Sequence, residues 1–171
     1  MPGPKHGTQA VVKERVDERE PRVELMLRPS TKSLQEAHLA AVHNIAEQLY
    51  YFPTPEYPHF RAFVNETEVE QRIFTNLGNE LGPDIVVLQW PEKLPVIVAE
   101  VVTADMLRDD VAESVWAVES RLSGVQFYLY VPAGSAAAAK KLLQRAKIKN
   151  VALRTWRNIA GLKTIDVIAI R

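Results

Sequence analysis

The sequence predicts an α/β fold in which a mixed central sheet is flanked by helices, and three observations carry that expectation. Two runs rich in β-branched residues, 84–88 and 96–103, lie close enough to form a hairpin, with Pro91 and Pro95 in the connecting turn. Mostly apolar residues at helical spacing precede the pair, at Leu34, Ala37, His38, Ala41, Ile45 and Leu49, and follow it at Leu107, Val111, Val115, Val118 and Leu122. A strand, a third helix and two more strands complete the order: a helix, a three-strand meander, a helix and a strand, then a helix and two strands.

Taken in order, residues 1–21 are polar, charged and contain Pro and Gly, the composition of a flexible arm. Val23, Leu25 and Leu27 alternate with charged neighbours between Pro21 and Pro29, which reads as an edge strand able to pair with a second copy in a homodimer. The expected organisation is therefore an arm over 1–29 and a single domain over 30–171. Ser33 followed by Glu36 has the spacing of a capping box and predicts a first helix over 34–51. Glu47 lies one turn after His43 on that helix, on what reads most simply as a solvated face. Pro53, Pro55 and Pro58 stiffen the connector, and 59–64 and 69–75 alternate like strands. Gly78 and Gly82 bracket the turn into Pro83-Asp84, and the implied register puts Arg72 on the face of Asp84 and Glu100.

After Thr103 the second helix begins with Asp105, Asp109 and Asp110 near its positive end and stops at Gly124. Trp116 beside its apolar stripe reads as core. Residues 124–132 form the next strand, and Ser135 is placed to cap a third helix that ends near Lys147, with Lys140, Lys141 and Arg145 outside Leu142 and Leu143. Strands at 151–156 and 163–170 close the chain.

With 171 residues and 47% apolar content the chain can bury one core. It has no cysteine, which excludes disulfides, thiolate metal sites and cysteine nucleophiles. Neither a signal peptide nor an apolar run long enough to cross a membrane is visible, so the expected location is cytoplasmic. Net charge is zero but uneven: from residue 134 onward nine basic residues face one acid, and the preceding 133 residues carry twelve basic and twenty acidic side chains. Lys140, Lys141, Arg145 and Lys147 could therefore meet nucleic acid, or the acidic part of the same fold or of a second copy. No P-loop, GxGxxG, HExxH or nucleophile elbow is present, and the four histidines are too scattered to form a recognisable metal set.

Glu100 is the anomaly, a carboxylate inside an apolar strand where an unpaired charge costs several kcal/mol. It requires a partner, a proton or a metal. A hairpin centred near Lys93 sets Asp84 opposite Val102 and diagonal to Glu100, about 7 Å away on one face. Two carboxylates so placed suit Mg²⁺ or Mn²⁺ better than zinc.

Pro83-Asp84 at a strand start, with Glu100 sixteen residues after Asp84, resembles the PD-(D/E)XK nuclease superfamily over residues 34–132. The resemblance implies a restriction-endonuclease-like fold, Asp84 and Glu100 as ligands of Mg²⁺ or Mn²⁺, and Glu47 as the first-helix carboxylate often found near that metal. It also implies a Lys two residues past the Glu, where this chain has Val102. Three functions follow from the resemblance and the residues together. The first is a nuclease-like binding or assembly module with an incomplete active site. The second is an active metal-dependent nuclease in which Arg72 or Arg108 replaces the Lys, and the third a structural homodimeric domain with Glu100 ion-paired.

Overall fold

The structure, a computed structural model, describes residues 31–65, 71–159 and 164–170. The chain divides into two units, Met1–Glu36 and Ala37–Arg171. The arm and edge strand expected over 1–29 lie outside the described residues. The helix α1 (Thr31–Leu49) is followed by β1 (Phe60–Val64), β2 (Ile73–Phe74), β3 (Glu80–Leu81), β4 (Ile85–Gln89) and β5 (Leu94–Val101). A 3-10 turn, Ala104–Met106, comes next, and then a helix over 109–119, here α2, which joins α-helical Asp109–Val111 and Ala117–Glu119 through a π segment, Ala112–Trp116. Then come β6 (Gln126–Pro132), α3 (Ala136–Arg145), β7 (Ala152–Asn158) and β8 (Ile165–Ala169).

Strands that read as unbroken apolar runs belong where both sheet faces are covered. β4 and β5 sit there, inside a six-stranded sheet of order β1-β4-β5-β6-β7-β8. β1, β4 and β5 are mutually antiparallel, and β5, β6 and β7 run parallel, which requires the crossovers that α2 and α3 supply. β8 returns antiparallel to β7. Of the strand expected over 69–75, residues 69 and 70 lie outside the described residues; among 71–75 only Ile73 and Phe74 are strand, and this β2 stands outside the six-stranded sheet and pairs with β3 in a ribbon around the turn at Gly78. Gly78 has φ of 79°, a conformation that side-chain-bearing residues rarely adopt.

Two apolar layers sandwich the sheet. On one face Ala41, Val42 and Ile45 of α1 meet Ile85, Val87, Ala99, Val101 and Tyr130. On the other, Ala112 and Trp116 of α2 and Ala139, Leu142 and Leu143 of α3 meet Val86, Leu88, Val98, Phe127 and Leu129. Full burial of each Val, Leu or Ile contributes about 1.5–3 kcal/mol, so these layers dominate the fold's stability.

Three local expectations differ from the structure. α1 is already helical at Thr31, so Ser33 and Glu36 lie inside it, and Glu36 pairs with Lys32 at 3.9 Å. The β4–β5 register shifts at a bulge, with Val87 opposite Ile97 but Leu88 opposite Pro95. In α2 the buried side chains are Ala112, Trp116, Ala117 and Glu119, while Val111, Val115 and Val118 are only partly buried. The π segment widens the turn and rotates the inward face away from the stripe that ideal 3.6-residue spacing implies.

Candidate acidic site at the end of the central strands

Asp84 stands at the entrance to β4, and Asn65 fixes it there. The Asn65 backbone N–H donates to the Asp84 carbonyl at 2.8 Å, and its side-chain amide donates to the carbonyls of Pro83 at 2.6 Å and Gln71 at 3.0 Å. Its side-chain oxygen accepts from the Gln71 N–H at 3.0 Å, which accounts for a buried Asn at this position. Ile85 pairs with Ala99, a register that carries Asp84 to the position across from Glu100 rather than across from Val102. The β4–β5 turn closes earlier than Lys93, with Gln89 opposite Leu94, and the one-residue bulge recovers part of that difference; the net shift of two residues, being even, preserves the face on which each strand residue lies.

The two acids share an end of the sheet, but helices on opposite faces hold them. The Asp84 carboxylate accepts the Val101 N–H at 2.8 Å and lies 3.3 Å from His38 Nε2 of α1. The hydrogen bond to Asp84 raises the His38 pKa above its ordinary value, outweighing the opposing effect of burial; Asp84's charge, a backbone hydrogen bond to Val101 and the charge of Asp105 add to the rise. Asp105 itself accepts the Thr103 hydroxyl at 2.5 Å.

Glu100 turns toward α2 and meets Glu119. Glu100 is 7% exposed and Glu119 2%. Burial first, then the charges of Glu119 and Asp84 and the hydrogen bond to Glu119, hold the Glu100 pKa well above the usual carboxylate range, while a backbone hydrogen bond from Asp84 opposes the rise. Burial also pushes Glu119 up, to about 8, with the hydrogen bond to Glu100 acting the other way. Burial raises both groups, so the two carboxyl groups meet with a proton shared between them. One Glu119 oxygen, Oε2, is buried without a hydrogen-bond partner. The answer to the Glu100 anomaly is therefore a proton and a second carboxyl group.

Val102, in the place of the Lys that the resemblance implies, is fully buried; its N–H donates to the Tyr130 carbonyl at 2.9 Å and its carbonyl accepts from Trp156 Nε1 at 3.3 Å. Arg72 is drawn away to an ion pair with Glu80 on the β2–β3 ribbon, and Arg108 to Asp110 at 2.8 Å, both exposed. Glu47 pairs with His43 at 3.1 Å on the exposed side of α1. It lies nine residues, about 13 Å of helix, from His38, the side chain that α1 actually brings to Asp84. Lys140, Lys141, Arg145 and Lys147 are all exposed at or just after α3, with Arg145 bound to Asp109 at 3.1 Å.

Among the described residues no group of three or more His, Asp or Glu is arranged to hold a metal ion. Asp84 is engaged by Val101 and His38, and Glu100 by Glu119, so the donors do not fit a divalent ion with the pair protonated. What the arrangement can do chemically is hold a shared proton at a largely buried, acid-rich end of the sheet.

Two members of this cluster escaped the sequence reading. His38 was visible as part of the α1 stripe, and its place three and four residues before Ala41 and Val42 was the signal that it faces the sheet. Glu119 is three residues after Trp116, the spacing that puts it beside a core aromatic. Compared with protein-family models, with curated proteins and with solved structures, the chain matches none.

Proposed function

We propose that this chain is a PD-(D/E)XK-like domain with an incomplete active site, whose acidic end is a proton-sharing structural cluster, and that it serves as a binding or assembly module. The observation that carries the reading is the burial of Glu100 together with a second acid, Glu119, which keeps protonated the carboxyl group that a metal-dependent nuclease would need ionised. Three further features support it. An antiparallel β1-β4-β5 meander follows α1, and a helix then leads to parallel β6, the element order that the resemblance implies. Asp84 and Glu100 occupy facing positions at one sheet end. Val102 leaves no cation two residues past Glu100, and Arg72 and Arg108 are committed to other carboxylates.

Mg²⁺ or Mn²⁺ would enter this site only against the shared proton. If nucleic acid is the partner, exposed Lys140, Lys141 and Lys147 offer the phosphate contacts, with modest affinity because net charge is zero. The test is a cleavage assay on single- and double-stranded DNA and RNA with Mg²⁺ and with Mn²⁺. No cleavage above background is expected. Cleavage that disappears with Asp84→Ala would show a working nuclease and overturn the reading.

A further inference from the structure

At the other end of α1, twelve residues or about 18 Å of helix from His38, six aromatic side chains line an open surface pocket of about 340 Å³. They are Tyr50, Phe52, Tyr57, Phe60, Tyr128 and Tyr130, joined by Leu49 and Ile97. The volume lies within the range of small-ligand sites, about 300–1,000 Å³. Their rings are ordered against one another. Tyr57 and Phe60 stack at 4.9 Å and 23°, Tyr128 and Tyr130 at 6.2 Å and 20°, and Phe52 meets Tyr57 and Phe60 edge-on. Tyr57 is 51% exposed, although a ring whose task was only to fill the core would be covered.

The polar groups narrow the ligand class. The Tyr50 and Tyr130 hydroxyls bond to each other at 2.7 Å, while no lining residue is acidic. The Arg154 guanidinium lies 5.4 Å over the Tyr128 ring. A cationic ligand would meet that positive charge with no carboxylate to offset it. A flat, uncharged π-system joined to an anionic group suits both features, and a nucleotide has both parts. In a duplex the base faces are stacked and hidden, so the ligand must be unpaired.

We propose that this pocket takes an unstacked base of a single-stranded nucleic acid, with Arg154 meeting a neighbouring phosphate. The site is separate from the acidic cluster and does not depend on whether that cluster cleaves. It adds base stacking on the α1 face to whatever phosphate contacts α3 makes on the opposite face.

The test is fluorescence anisotropy with 5′-fluorescein-labelled dT12, compared with the same strand annealed to dA12. Binding of the single strand and much weaker binding of the duplex are expected. Tyr57→Ala and Tyr128→Ala should each weaken dT12 binding roughly 5- to 100-fold. Arg154→Gln should lower the salt slope by about 1. Half-exposed Tyr57 makes its Ala variant the one most certain to fold, and circular dichroism checks this. Cleavage of dT12 by the wild type would sink the inactive-site reading and leave this inference standing. No dT12 binding by the wild type, equal binding of the duplex, or unchanged affinity in Tyr57→Ala overturns it. So does a pocket that responds to N-acetyl-tryptophanamide but not to dT12, which would assign it to a peptide side chain.

Discussion

Glu100 of β5 and Glu119 of α2 meet inside the core, where two acids that would repel as a pair of anions are joined by a shared proton. Stability should therefore fall as pH rises. In the unfolded chain both groups titrate near 4.5, whereas in the folded chain Glu119 titrates near 8 and Glu100 well above its ordinary value. Between those limits the folded state binds more protons than the unfolded state, so the stabilisation is complete below about pH 4.5 and is lost toward pH 8. Urea unfolding of the wild type should lose on the order of 2–4 kcal/mol between pH 5 and pH 9. Glu119→Gln, which can accept from Glu100 without ionising, should lose less than half as much. Parallel pH profiles for the two proteins would rule out the shared proton.

His38 reports on Asp84. Its imidazole should titrate above 6.5 in the folded protein, because the hydrogen bond to Asp84 favours the protonated form. By the same linkage its contribution to stability is fully present below its unfolded pKa and vanishes as pH rises through the folded one. An NMR titration of the His38 ring checks this. Asp84→Asn should move the midpoint down, and an unmoved midpoint would mean that another group holds the ring.

Val102→Lys places an ammonium in a fully buried position two residues from Glu100, on the same sheet face. Alone it should destabilise by several kcal/mol, less what an ionised Glu100 or Glu119 recovers. Combining it with Glu100→Gln removes one partner, so the double variant should be less stable than additivity implies, by at least about 1 kcal/mol. Additive losses would show that the Lys and Glu100 do not meet. Gain of Mg²⁺-dependent cleavage in the single variant would show that the Lys was the only part missing.

Mn²⁺ should bind poorly at pH 6 and better at pH 9, releasing protons as it does, since it must displace the one between Glu100 and Glu119. Calorimetry in two buffers of different ionisation enthalpy measures the released protons directly. Tight binding that does not vary with pH would show a preformed metal site.

Asn65→Ala should cost about 1–3 kcal/mol, because it leaves the carbonyls of Pro83 and Gln71 and the Gln71 N–H without their side-chain partner. It should also broaden the His38 resonance, since Asn65 fixes the turn that presents Asp84. A sharp, unshifted His38 signal in this variant would separate the clamp from the site.

The sequence by itself determined the α/β class, the α1, β1, β4 and β5 segments and the order of the elements after β5, because apolar period and β-branched composition are local signals that tertiary packing reinforced here. It also marked Asp84, and marked Glu100 as a residue needing compensation, since burial cost follows from neighbours in the chain. What compensates Glu100 was decided only in three dimensions. The position of the β4–β5 turn and the bulge beside it set which residue Asp84 opposes, the π segment turned Glu119 inward in place of the expected stripe, and α1 delivered His38 instead of Glu47. The aromatic pocket belongs to the same class of fact. Its rings come from the end of α1, the connector, β1 and β6, and residues as distant as Tyr50 and Tyr130 meet only because a parallel crossover places β6 beside β5. Periodicity reports which face of one element is buried; it carries no information about which side chains of other elements that face will meet.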